Sequence, residues 1–267
     1  MDFNLIAKIR KQNPLIHNIT NIVVANYVAN GLLALGASPI MADAEEEMAD
    51  LAKFSSVLVI NIGTLDSYKV KAMLAAGKAA NQAGIPVVLD PVGVGATAYR
   101  KAVVAQLLSH IKFTAIRGNA GEIAQLAGIH WSAKGVDAGQ GESDVAEIAK
   151  VAAQQYQCVV AVSGKVDYLS DGKQLATIHN GTAMFPKITG SGCLLGAVIG
   201  AFLAVQPDQP FNATVQACTA YAVAGELAAE PLGAKKYGQF YTALLDQLGE
   251  LEDQQVAQYA KVYYTDI

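Results

Sequence analysis

Cys193 stands at the head of an apolar run, directly behind two glycines and a serine, in the stretch Thr189-Gly190-Ser191-Gly192-Cys193-Leu194-Leu195-Gly196-Ala197. Glycines at 190 and 192 let successive backbone N–H groups converge, and a helix beginning near Cys193 adds its unpaired first amides and the positive end of its dipole. Such a turn holds an anion of phosphate size. Glycines ahead of a helix also serve simply to turn the chain, and a cysteine there also serves as a small packing residue. On this stretch alone both readings stand.

Three more polar clusters each follow an apolar run. In Asp90-Pro91-Val92-Gly93-Val94-Gly95 the carboxylate of Asp90 either holds a magnesium water shell or caps the glycine-rich turn. Gly93 to Ala98 also matches a dinucleotide fingerprint loosely, but Asp-Pro interrupts the strand-to-turn junction and no acid ends the next strand. In Arg117-Gly118-Asn119-Ala120-Gly121-Glu122 the arginine can fork two donors onto phosphate oxygens, while Asn119 suits a helix N-cap. Glu122, three residues on, fits a capping box; its expected nearness to Asp90 fits a second metal carboxylate instead. Ser163-Gly164-Lys165-Val166-Asp167 holds a Gly-Lys pair but lacks the earlier glycine of a Walker loop, leaving a hydroxyl turned to nucleotide or a plain β-turn.

These clusters need a frame that brings strand ends together. Short apolar runs at Val57–Ile62, Pro86–Leu89, Phe113–Ile116 and Cys158–Val162 read as strands buried on both faces. Alanine-rich helices near 66 to 83, 97 to 110, 119 to 127 and 145 to 156 alternate with them, which predicts an α/β fold with a mostly parallel central sheet and helices on both faces. Ligands of such sheets bind beyond the carboxyl ends of the strands, where all four clusters fall. Asp167–Gly172 followed by Gln174–Ile178 reads as a hairpin, after which the chain reads as helical to near residue 251. Gly135 to Ser143 reads as a mobile loop or a surface connection. The run Ile22 to Leu35, apolar on nearly every face, is either a core helix or one completed by a neighbouring subunit.

The 267 residues suit one α/β domain spanning 1–267. With 52% hydrophobic and 16% charged residues, a thinly charged surface favours oligomerisation. A net charge of -4 without a basic run excludes a nucleic-acid partner, since backbone affinity comes from clustered Lys and Arg. The apolar stretch Leu194 to Val205 is too short for a bilayer and MDFNLIAKIRKQ lacks an h-region, so no membrane partner and a cytoplasmic location are expected. Cys158, Cys193 and Cys218 show no metal or disulfide spacing, and Cys158 and Cys218 read as core residues.

The order Asn119-x-x-Glu122, then Gly190-Ser191-Gly192 before a helix, on an alternating α/β chain, resembles the ribokinase-like superfamily, whose members often carry aspartate where this chain has Cys193. With Pro14-Leu15-Ile16-His17-Asn18-Ile19-Thr20-Asn21, Gly36-Ala37-Ser38-Pro39-Ile40-Met41 and Asp90-Pro91-Val92-Gly93-Val94-Gly95, almost the whole chain is similar to the hydroxyethylthiazole kinase family of thiamine salvage. That resemblance implies transfer of the ATP γ-phosphoryl group to the alcohol of 4-methyl-5-(2-hydroxyethyl)thiazole, with Mg2+, in a homotrimer with interfacial sites. It implies Met41, Gly190, Asn21 and Gly63 at the thiazole, Arg117, Ser163 and Gly192 at ATP, Asp90 and Glu122 at the metal, and Cys193 as base. Ser163 and Ser191 depart from it where threonine is usual, each keeping the hydroxyl. Rival readings are a hydroxymethylpyrimidine kinase or a nucleotide-dependent hydrate dehydratase, both expected to carry aspartate at 193. An NADP-dependent oxidoreductase using Gly93 to Ala98 and Arg117, and a non-catalytic nucleotide-binding subunit, complete the set.

Overall fold

A computed structural model describes residues 2–131 and 141–266. In chain order the elements are α1 (Leu5–Gln12), β1 (Leu15–Ile19), α2 (Ala25–Leu35), β2 (Ser38–Met41), α3 (Met48–Leu51), β3 (Val57–Asn61), α4 (Ser67–Ala83), β4 (Val87–Asp90) and α5 (Ala98–His110). They continue with β5 (Ala115–Asn119), α6 (Ala120–Ala127), α7 (Gly141–Tyr156), β6 (Val159–Ser163), β7 (Asp167–Ser170), β8 (Gln174–Ile178), α8 (Ser191–Val205), α9 (Pro210–Ala229), α10 (Tyr237–Glu250), α11 (Asp253–Tyr259) and β9 (Val262–Asp266).

The nine strands among the described residues join one sheet in the order β2-β1-β3-β4-β5-β6-β7-β8-β9. The first six run parallel, and β7, β8 and β9 add to them antiparallel. Strand alternation divides the apolar residues between two cores. Val57 and Val59 of β3 face a core shared with α1, α2, α8, α9 and α10, whereas Leu58 and Ile60 face one built with α3, α4, α5, α6 and α7. The near-continuous apolar strands therefore do bury both faces, as the alternating sequence predicts.

Side chains start the helices that leave the site. Asp66 accepts from the Lys69 N–H at 2.8 Å ahead of α4, and Thr97 accepts from the Arg100 N–H at 3.2 Å ahead of α5. The expected hairpin is present as β7 and β8. Several expectations need correction. Arg117 lies inside β5, opposite Ala161, because pairing with β6 carries the strand on to Asn119. The helical stretch expected to near residue 251 is present as α8, α9 and α10; beyond it lie α11 and the outermost strand β9, beside β8. Strands β1 and β2 also belong to the sheet, β2 as its half-buried opposite edge. Of the loop expected from Gly135 to Ser143, residues 135 to 140 lie outside the described residues, and Gly141 already begins α7. Among the described residues no helix is long and apolar enough to cross a membrane.

Candidate active site

The carboxyl ends of the parallel strands meet at one rim, and most of the singled-out residues gather there. Asp90, the last residue of β4, is 0% exposed. Its register partner on β3 is Asn61, whose Nδ2 donates to Asp90 Oδ2 at 2.9 Å. Arg117 Nη1, from β5, lies 3.6 Å from the same oxygen. The other arm of that guanidinium donates to Ser163 Oγ at 2.5 Å, and Ser163 in turn donates weakly to the Gly118 carbonyl at 3.4 Å. The Ser163 hydroxyl thus steadies Arg117, while the turn behind it closes through Gly164 N–H to Asp167 Oδ1 at 2.9 Å.

Glu122 makes the capping box in full. Asn119 Oδ1 accepts from the Glu122 N–H at 2.9 Å and Glu122 Oε2 accepts from the Asn119 N–H at 2.8 Å. Its second oxygen accepts from the Gly93 N–H at 2.8 Å, tying α6 to the turn after Asp90. The helix-start role of this residue is therefore real. It also stands close enough to Asp90 for its charge to act on that carboxyl.

On the far side of Asp90 sits the glycine turn. Gly190 has φ 92°, a left-handed backbone that favours glycine, and a Cβ there would lie 2.8 Å from Val24 Cγ1. Helix α8 makes its first bond from the Leu194 N–H to the Gly190 carbonyl at 2.8 Å, leaving the amides of Ser191, Gly192 and Cys193 ahead of the ladder. A Cβ on Gly192 would stand 2.6 Å from Arg117 Nη1, so the guanidinium lies directly against the start of the helix. Ser191 plays a structural part: its Oγ donates to the Phe185 carbonyl at 2.8 Å and its own carbonyl accepts from the Tyr221 hydroxyl at 2.7 Å. Outside this corner opens a cleft of about 680 Å³ lined by Arg117, Ser163, Lys165, Asp167, Ser191 and Gly192.

Cys193 is half-buried, and its Sγ lies 3.5 Å from Asn21 Nδ2. The same Nδ2 donates to Asn61 Oδ1 at 2.9 Å, and that oxygen also accepts from the Gly63 N–H at 2.9 Å. Asn21, Gly63, Asp90, Arg117, Ser163, Gly192 and Cys193 therefore share one connected corner. Met41 ends the neighbouring strand β2, opposite Asn18 of β1, half-buried against the first core. Cys158 and Cys218 are buried in the two cores, as their apolar settings predict.

Two residues of this corner escaped sequence reasoning. Asn61 ends an apolar strand as Asp90 does, which was the available signal. Arg100, on the first turn of α5, donates to the carbonyls of Ile62, Val92 and Gly63 at 2.7, 2.6 and 2.7 Å, clamping the turns that follow β3 and β4. An arginine early on a helix carries no such signal.

Burial dominates the electrostatics. It pushes the Asp90 carboxyl up to about 7, against the pull of Arg117 and with the push of Glu122. Arg117 is buried, which alone would lower its pKa, but the carboxylates of Asp90 and Glu122 outweigh that and raise it. Burial, then the Asp90 charge, raises the Cys193 thiol, opposed by the amides of Asn61 and Asn21 and by Arg117. Asp167, beside the cleft, is pushed up to about 6 by burial, against the Gly164 N–H and Arg117. A cationic fork and a helix start that meet above a carboxylate suit a polyanion such as a phosphate chain.

The model of the hydroxyethylthiazole kinase family matches residues 6–254. The chain belongs to this family. A hydroxyethylthiazole kinase of Pasteurella multocida is 62% identical over 260 residues, covering 97% of each chain. The solved structure of a hydroxyethylthiazole kinase protein from Pyrococcus horikoshii superposes with a TM-score of 0.90 at 41% identity, covering 99% of this chain and 98% of that one. Pyridoxal kinase from Staphylococcus aureus in complex with AMP-PCP shares the fold, with a TM-score of 0.67 at 15% identity over 95% of this chain and 98% of that one. The fold is ribokinase-like and the protein is a kinase by family. The oxidoreductase reading of Gly93 to Ala98 falls with that membership, and the structure shows why the motif misleads: the Gly93 amide is spent on Glu122 and the strand before the turn ends in a buried acid.

Proposed function

We propose that the protein transfers the γ-phosphoryl group of ATP to the primary alcohol of 4-methyl-5-(2-hydroxyethyl)thiazole. The observation that carries this reading is the meeting of the Arg117 guanidinium with the start of α8, one residue ahead of Cys193, at the edge of the 680 Å³ cleft. ATP lies in that cleft with its phosphates toward Arg117, Ser163 and Gly192. The thiazole lies on the other side of Cys193, toward Asn21, Met41, Gly63 and Gly190. Transfer passes through a loose transition state with charge spread over the phosphoryl oxygens, so placement and neutralisation outweigh early proton removal. The alcohol oxygen bonds to the γ-phosphorus as the bond to the ADP oxygen breaks. The amides of Gly190 to Cys193 hold the phosphoryl oxygens, Arg117 balances their charge, and the Cys193 sulfur, as thiolate, takes the hydroxyl proton late.

The chemistry of Asp90 and Glu122 fits Mg2+. Asp90 Oδ1 is buried without a hydrogen-bond partner, and a carboxylate oxygen in that condition suits a hard cation. Glu122 keeps a free lone pair on each bonded oxygen. Among the described residues no group of three or more His, Cys, Asp and Glu is placed to hold a metal, so Asp90 and Glu122 would share it with phosphate oxygens. Bound there, it would neutralise phosphate charge.

The working form is a cytoplasmic homotrimer of one-domain subunits with sites at the subunit interfaces. Supporting this, Ile22 and Val23, next to Asn21, are 76% and 67% exposed and Leu33 on α2 is 59% exposed, an apolar surface at the substrate side that a neighbouring copy would cover. Incubation with ATP, Mg2+ and a panel of thiazole, pyrimidine and sugar alcohols, followed by mass spectrometry, tests the function. Equimolar ADP and the thiazole phosphate are expected; transfer to the pyrimidine alcohol alone, or ATP turnover without any alcohol, would refute it.

A further inference from the structure

Among the described residues, the hydrogen bonds joining the acid to the thiol pass through one carboxamide. Asn61 Oδ1 accepts from the Gly63 N–H and from Asn21 Nδ2, each at 2.9 Å, while Asn61 Nδ2 donates to Asp90 Oδ2 at 2.9 Å. A backbone N–H only donates, so the atom facing Gly63 is the oxygen, and chemistry settles which way this amide points. The orientation then propagates. The Asn21 group facing that oxygen must be its NH2, and the same NH2 lies 3.5 Å from Cys193 Sγ. At the other end Asp90 necessarily meets a donor. Asn21, Asn61 and Asp90 are 4%, 3% and 0% exposed, so water does not compete for these bonds.

We propose that Asn61 is a positioning residue for the transfer reaction: its carboxamide holds the Asn21 NH2 toward the Cys193 sulfur and keeps Asp90 an acceptor, locking the alcohol and phosphate halves of the site in register. The inference rests on the transfer function proposed above. The two ends of the amide can be cut separately. Asn61→Asp keeps an oxygen toward Gly63 and Asn21 but sets oxygen against oxygen at Asp90. Asn61→Leu, of similar size, removes both ends and takes away the Asn61 partner of the Gly63 N–H, the Asn21 NH2 and Asp90 Oδ2.

Steady-state kinetics and alkylation of Cys193 by iodoacetamide, mapped by mass spectrometry, test this, with buried Cys158 and Cys218 as silent controls. For Asn61→Asp, kcat is expected to fall about tenfold to hundredfold, the loss of one buried charged hydrogen bond, with the alcohol KM within about threefold of the parent; alkylation slows here too, because a second carboxylate beside the sulfur disfavours the thiolate. For Asn61→Leu, the alcohol KM is expected to rise and alkylation to slow by about tenfold, because the sulfur loses the donor that favours thiolate. An equal alcohol KM in the two variants, or a kcat for Asn61→Asp within about threefold of the parent, would overturn the assignment. If circular dichroism shows Asn61→Leu unfolded, Asn21→Ala, which severs the sulfur end alone, takes its place: slowed alkylation supports the role and an unchanged rate refutes it. A parent protein that phosphorylates no alcohol would count against the function, while the alkylation rates would still judge Asn61.

Discussion

A thiol takes a proton only after giving up its own, and the surroundings of Cys193 oppose that. Burial and the Asp90 charge raise its pKa, and two asparagine amides and Arg117 only partly offset them. In the proposed transfer the base is the thiolate, so kcat/KM should climb with pH through the ordinary thiol value of about 8.5 and beyond. In Cys193→Asp the carboxylate ionises at lower pH, so the rise should move toward acid and activity should remain. Cys193→Ala should lose the rise and about tenfold to hundredfold in kcat, a modest penalty because the transition state asks little of a base. Steady-state pH profiles of the three proteins check this; a full kcat with unchanged KM in Cys193→Ala would take the thiol out of the chemistry. At this scale the sequence exposes Asp90 and Arg117, since a charge ending an apolar run is conspicuous. Asn61 stays hidden as the neutral end of a strand, and Arg100 reads as helix surface until its three carbonyl partners are seen.

Between residues and fold, the start of α8 matters most. Its free amides and the Arg117 side chain lie together only because position 192 has no Cβ. Gly192→Ala should push the guanidinium aside, raising the ATP KM about tenfold and lowering the melting temperature, since the displaced Arg117 disturbs its buried pair with Asp90. Kinetics and thermal melting on one preparation separate the two effects. A lower melting temperature with unchanged ATP KM would mean the glycine serves packing alone. The glycine turn ahead of α8 was legible as a turn, because Gly190 and Gly192 directly precede an apolar run, while its use for an anion stayed open beside plain chain reversal. Strand β5 was misread by a few residues because Arg117, Gly118 and Asn119 look like a loop, and only pairing with β6 keeps them extended. Strands β1, β2 and β9 were hidden for a related reason: β1 carries His17 and Asn18, β2 contains a proline, and β9 is rich in polar and aromatic residues on an outer edge.

Across the whole molecule, the parallel order β1-β3-β4-β5-β6 delivers Asn61, Asp90 and Ser163 to neighbouring strand ends, with Arg117 between them inside β5. Helix α8 crosses the same core and points its first turn at them. Alternation of apolar runs and helices made that frame readable before any coordinates. The surface it leaves at Ile22, Val23 and Leu33 was ambiguous, because an all-round apolar helix fits a core and a subunit interface equally. One structure would test the account at every scale: the assembled protein crystallised with ADP, Mg2+, aluminium fluoride and the thiazole alcohol. The account predicts the fluoroaluminate against the amides of Gly190 to Cys193 and Arg117, with the alcohol oxygen beside Cys193 and a second subunit over Ile22 and Val23. A fluoroaluminate bound away from the start of α8, with the sulfur facing only packed hydrocarbon, would contradict it.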